Sequence, residues 1–238
     1  MTDILDALQV QRPNAERARM AQTLLWVSFG FAAATALITG IAIILPGVSY
    51  MDVVTGGLPM WVMQSVLVAI FAVHFITVGY FIAWLRRGYA NLHRLGYPGL
   101  SRGESAAVWT WFVPIANLFM PYRIGKETYS VFRYLAHKVT GRTDYTKPGQ
   151  LAGRWWGWFV ATGLAGYFLN VASGITNSIT DFTTLQMWIV AQQLIVVSVR
   201  LIATVYAVRF ISESQAVMDE VFHGEELAKA AIAELEPA

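Results

Sequence analysis

The sequence predicts an all-α integral membrane protein with four transmembrane helices and a proline-broken re-entrant or interfacial helical element between spans two and three. Three observations predict it. Charged residues make up only 13% of the 238-residue chain and apolar ones 56%, with a mean hydropathy of +0.49. A soluble globular domain carries roughly 25% charged residues, so lipid is the expected solvent. Four apolar runs are each near or above the roughly 20 residues that cross a bilayer as a helix. Among the connecting segments, lysines and arginines fall only in alternate ones.

Span one covers about Gln22 to Leu45 and is closed by Pro46-Gly47. Span two covers about Met60 to Leu85 and is closed by Arg86-Arg87. Spans three and four cover about Trp155 to Ile175 and Leu185 to Phe210. Backbone groups in hydrocarbon must be satisfied within the segment, so each run is expected to be helical. None shows the strand alternation of a membrane β-barrel.

Arg12, Arg17 and Arg19 precede span one, and eleven bases lie between Arg86 and Arg154. The two loops expected outside, 46–59 and 176–184, contain none. The positive-inside rule then places both termini and the central segment in the cytoplasm. The expected layout is a cytoplasmic segment 1–21, a membrane domain 22–210 containing the basic segment 86–154, and an acidic cytoplasmic tail 211–238. Asp3, Asp6 and Glu16 precede any long apolar run, which is not the pattern of a secretory signal. Trp26, Trp84, Trp155, Trp156 and Trp158 fall near inner span ends and Trp61 and Trp188 near outer ones, and are read as headgroup anchors.

The stretch VWTWFVPIANLFMPY, residues 108–122, is apolar but too short to span, and it lies among bases. It is expected to dip into one face and return. Pro114 removes a helix donor and disfavours helix in the residue before it. Asn117 offers a donor and an acceptor to the interrupted backbone. Pro121 ends the dip, and Arg123 and Lys126 bring the chain back to the headgroups. Just upstream, SRGE at 101–104 reads as a capping box, with Ser101 as N-cap and Glu104 reaching back.

The run RRGYANLHRLGYPGLSRGESAAVWTWFVPIANLFMPYRIGKETY, residues 86–129, resembles the uncharacterised bacterial membrane family called domain of unknown function 4328. The resemblance rests on Asn91-Leu92, on WTWFVPIANLFMPY with its second proline four residues beyond Asn117, and on Lys126-Glu127. It implies a bacterial integral membrane protein, and it implies no activity and no catalytic residue.

Ionisable groups inside spans are functional candidates by default. His74 lies 14 residues into span two and Arg200 lies 15 into span four, both running inward. At about 1.5 Å per residue they sit at similar depth. No Asp or Glu occurs in any span to pair with Arg200. A carbonyl freed at the broken element, Glu127 or a lipid phosphate are the expected partners. Asn170 and Gln192, with Gln193, are expected to bond between helices. Small residues four apart, Ala32, Ala36 and Gly40 in span one and Ala161 and Ala165 in span three, permit close helix packing.

There is no cysteine, which excludes thiol chemistry and thiolate metal sites. Phosphate loops, HExxH, GxSxG and dinucleotide glycine patterns are absent. His93, Glu104, Glu127, His137 and Asp144 match no metal or catalytic spacing and read as solvated residues. No catalytic residue, metal or cofactor is therefore expected. Segment 86–154 has a net charge of +8, which suits anionic inner-leaflet lipids through Arg86, Arg87, Arg123 and Lys126, with Arg200 as a deeper phosphate contact. No nucleic-acid reader motif accompanies the charge. Phe210, Ser214, Val217 and Val221 recur at helical spacing, so span four is expected to continue as an amphipathic helix. The tail's net charge of −5, counted from Arg209, could dock on the basic segment of this chain, a neighbour or a partner.

Three functions follow as expectations. The first is a non-enzymatic accessory, scaffolding or interaction subunit, with a protein partner or a homo-oligomer. The second is an anionic-lipid-binding protein or headgroup enzyme. The third is an oligomeric channel for a small solute or ion, lined by Asn117, His74 and Gln192.

Overall fold

The structure is a computed structural model that describes residues 10–44, 60–176 and 181–235. Every regular element among the described residues is a helix. In chain order they are α1 (Ala15–Ile44), α2 (Met60–Arg94), α3 (Ala106–Trp109), α4 (Pro114–Asn117), α5 (Met120–Thr140), α6 (Pro148–Thr176), α7 (Phe182–His223) and α8 (Glu225–Ala233). Runs within α1, α2 and α7 are long and apolar enough to cross a membrane, namely Ala15–Ile38, Gln64–Arg94 and Met187–His223. The third expected span lies in α6. That helix has 29 residues. The first loop expected outside, 46–59, and Asn177 of the second lie outside the described residues.

The chain divides into two units. The first takes Met1–Gln22, Val78–Trp156 and Ala207–Ala238, and the second Thr23–Thr77 and Gly157–Tyr206. The first unit has an aromatic core. Trp84, Tyr89, Tyr129, Phe132 and Phe210 are all at most 1% exposed, with Leu85, Leu92, Ile124, Leu135, Ile211 and Val221 around them. α5 supplies one wall because Ile124, Thr128, Val131, Phe132 and Leu135 recur every three or four residues and are all buried. It stops at Gly141, whose φ of 71° lets its N–H reach His137 O at 2.8 Å.

The amphipathic extension expected beyond span four is present. α7 runs unbroken through residue 223, and Phe210, Ser214, Val217 and Val221 are each at most 2% exposed. The tryptophan reading needs correction at three positions. Trp84, Trp155 and Trp156 are buried in the first unit's core rather than set out as anchors. A large ring with one N–H suits a wet core edge as well as a headgroup zone: Trp84 Nε1 donates to Gln215 Oε1 at 2.9 Å and Trp156 Nε1 to Leu118 O at 3.0 Å.

The second unit presents apolar side chains outward. Trp61, Leu67, Val68, Phe75, Tyr167 and Phe168 are all more than half exposed. Within it, Trp158 stacks on Tyr206, and Thr77 Oγ1 donates to Val73 O at 2.7 Å, satisfying its hydroxyl inside its own helix.

Candidate functional site

The segment 108–122 folds as a chain of short helical turns. Val113 is extended (φ −96°, ψ 112°), as the residue before a proline prefers, and Pro114 opens α4. Pro121 is buried in the first turn of α5, where it starts the helix. Asn117 closes its turn through the backbone, its N–H reaching Val113 O at 2.8 Å, while its side-chain Oδ1 is buried without a partner. The carbonyl released at Leu118 is taken by Trp156, a contact between residues 38 apart that local sequence gives no sign of. Phe112, Ile115 and Leu118 are 74%, 74% and 64% exposed. Arg123 is exposed too, and its guanidinium lies 5.3 Å from the Phe119 ring centre. Lys126, also exposed, lies 6.0 Å from the Tyr122 ring.

SRGE does not form a capping box. α3 starts at Ala106, and its N-cap Ser105 makes no side-chain cap bond. Glu127 intervenes from α5: its Oε1 accepts Ser101 N–H at 2.8 Å and its Oε2 accepts Ser101 Oγ at 2.7 Å and Tyr89 Oη at 3.1 Å. Glu104 instead pairs with Arg86 at 3.3 Å. A carboxylate held on a long helix outcompetes one on a loop. Glu127, read from sequence as a solvated residue or a partner for Arg200, is thus committed inside its own unit.

Arg87 lies in the field of four other guanidinium groups, those of Arg17, Arg94, Arg12 and Arg86. The N-terminal segment places Arg12 there. Its N–H donates to Asn91 Oδ1 at 3.1 Å and its carbonyl accepts from Asn91 Nδ2 at 2.8 Å. Asn14 Nδ2 donates to Trp84 O at 3.0 Å. Asn91, noted in sequence only as part of a family pair, is the residue that docks the segment. Within the cluster Arg86 is offset by Glu104, and Arg94 donates to Asn91 at 3.1 Å.

The acidic tail docks on the basic segment of its own chain. Arg142 bridges Asp144 and Glu220, and Lys138 reaches Glu234 at 3.5 Å. Arg142 holds the Asp144 carboxyl below its usual range. Tyr145, partly buried, donates to Glu220, and burial followed by that carboxylate raises its phenol. Burial pushes the Tyr129 phenol up to about 12, and its hydroxyl donates to Thr146 O at 3.0 Å. Arg133, Tyr134, His137, Arg142 and Tyr145 line a surface cleft of about 320 Å³. Glu225 opens α8 and is 3% exposed. It accepts Val10 N–H at 2.8 Å and Gln11 N–H at 3.1 Å, with Lys229 at 2.8 Å. Burial alone would raise its carboxyl; Lys229 and the two backbone donors outweigh it and set the value below the ordinary one. Among the described residues no three His, Asp or Glu side chains converge as a metal site.

In the second unit His74 and Arg200 line one cavity of about 120 Å³, with Ser28 and Gln193. Gln192, the neighbour singled out from sequence, is not among its lining residues, and its amide nitrogen is buried without a partner. The side chain of Asn170 lies outside the described residues.

Neither the curated proteins nor the solved structures contain a match for this chain. A family model matches residues 57–221, covering α2 to the far part of α7 and every residue on which the resemblance rested. The chain belongs to the family described as Domain of unknown function (DUF4328).

Proposed function

We propose that this is a non-enzymatic bacterial inner-membrane protein that binds anionic lipid headgroups at the inner leaflet. Four spans cross the bilayer, α6 being the third, and both termini and the segment 86–154 are cytoplasmic. The observation that carries this reading is the arginine cluster around Arg87, which gathers Arg12, Arg17, Arg86 and Arg94 immediately after span two. Guanidinium groups crowded together repel one another, and phosphate oxygens relieve that repulsion with paired hydrogen bonds. Each basic residue near an anionic surface contributes about 1 kcal/mol. The exposed row Phe112, Ile115 and Leu118 beside Arg123 and Lys126 suits an interfacial element that lies in the headgroup zone.

The test is native mass spectrometry of the full chain extracted gently from its own membrane. Anionic phospholipid should be retained over zwitterionic lipid, and Arg12→Ala with Arg87→Ala should cut that retention severalfold. Equal retention of both lipid classes by the unaltered protein would sink the reading. A second reading, an accessory or scaffolding subunit, draws on Gly30, Gly40, Gly163 and Gly166, where an added Cβ would meet nothing within 4 Å. Such faces accept another helix closely. A stoichiometric protein partner or a defined homo-oligomer in the same spectrum would favour it.

A further inference from the structure

Arg200 is a cation far inside an apolar helix, where charge is costly unless it is paired. None of the four expected spans contains Asp or Glu. Among the described residues no carboxylate pairs with Arg200. It opens instead on the cavity of about 120 Å³ between α1, α2 and α7, the three helices apolar enough to span. The other polar side chains there include Ser28, His74 and Gln193, and Phe31, Ile70 and Val196 contribute apolar wall. The polar set is rich in donors. Arg200 has five N–H groups and no acceptor, Gln193 an amide NH₂, and His74 and Ser28 at least one donor each. No lining residue is acidic. Walls of low dielectric strengthen every charge interaction inside. A cavity of about 150 Å³ holds a benzene ring, so this one admits a compact charged group and not a drug-sized solute.

We propose that this cavity binds one compact oxyanion, the phosphate or carboxylate group of either a lipid or a small solute. Arg200 supplies the charge and a planar two-pronged donor, and Gln193, His74 and Ser28 fix the remaining oxygens. The site rests on the spanning reading of α1, α2 and α7 and is separate from the arginine cluster around Arg87. His74 and Arg200 were only matched in depth by counting residues; the cavity makes them members of one site.

The full chain in zwitterionic-lipid nanodiscs tests it in two arms. Inorganic phosphate is titrated against matched chloride while thermal stability is followed, and native mass spectrometry counts anionic phospholipid carried through exchange. A solute site gives a Tm rise with phosphate beyond that with chloride. A headgroup site gives one retained anionic phospholipid. In whichever arm responds, Arg200→Gln should weaken binding at least about tenfold and Gln193→Leu about three- to tenfold, as lost bonds to a charged group do, all measured in an Arg12→Ala and Arg87→Ala background so that the headgroup cluster does not contribute. Arg200→Lys keeps the charge without the fork, and serves with Gln193→Leu if Arg200→Gln does not fold. No response in either arm, or a response the same in Arg200→Lys and Gln193→Leu as in that background alone, overturns the proposal. So does binding that Arg87→Ala alone abolishes, because it then belongs to the headgroup cluster.

Discussion

Trp155 lies flat on Phe210, their ring centres 4.4 Å apart and their planes 4° from parallel. Gly125 makes room for the pair: an added Cβ would come within 3.0 Å of Trp155 and 3.1 Å of Phe210. Both rings are rigid and enclosed, so neither can step aside cheaply. Phe210→Ala should cost about 3–5 kcal/mol by leaving a cavity, and Gly125→Ala about 1–3 kcal/mol by overpacking. Thermal unfolding followed by tryptophan fluorescence reads both, and an unchanged Tm in Phe210→Ala would contradict the packing.

Glu225 gives the chain a pH response. Its folded-state pKa is depressed, so its contribution is full above the ordinary glutamate value and fades as pH falls through the lowered one. Amide exchange at Val10 and Gln11 should therefore speed up relative to the intrinsic rate on acidification in the unaltered protein. In Glu225→Gln it should already be fast at neutral pH, and slow exchange there would show that the two donors have another acceptor.

Glu127 holds the loop before α3 by Ser101 and Tyr89. Removing the carboxylate as Glu127→Ala leaves a backbone donor and two hydroxyls to find water, at about 1–3 kcal/mol. Hydrogen exchange should rise at residues 101–102 and stay unchanged around Gly141. A rise spread evenly over the unit would point to general loosening instead.

The absence of cysteine makes topology directly measurable. Exposed single cysteines can be placed by Thr184→Cys in the first turn of α7 and Ser130→Cys on α5. In intact cells a membrane-impermeant maleimide should label the first, and reach the second only after permeabilisation. Labelling of both from the same side would mean that α6 does not cross.

What was legible in sequence was whatever depends on neighbours along the chain. Long helices announce themselves as apolar runs, and the far half of α7 was visible because Phe210, Ser214, Val217 and Val221 share one face. Contacts between distant residues left weaker marks. Ser101 and Glu104 have the spacing of a capping box, and only the fold shows that Glu127, 26 residues away, takes Ser101. The tryptophans misled for a related reason: a ring with one donor fits a membrane border or a core edge, and sequence position near a span end cannot separate the two. Nothing local marks Asn91 as the clamp on Arg12. His74 and Arg200 came closest to a site because depth in a straight helix can be counted.

The bond from Val10 to Glu225 joins residues 215 positions apart. During synthesis Val10 leaves the ribosome early and has no acceptor until α8 is made. The first unit draws on three separated stretches, so its aromatic core stays incomplete until the last of them arrives. Assembly of that unit is thus a closing event rather than a progressive one. A chain interrupted before α8 would keep its apolar helices yet leave this core unlatched, giving proteolysis a way to tell an unfinished copy from a finished one.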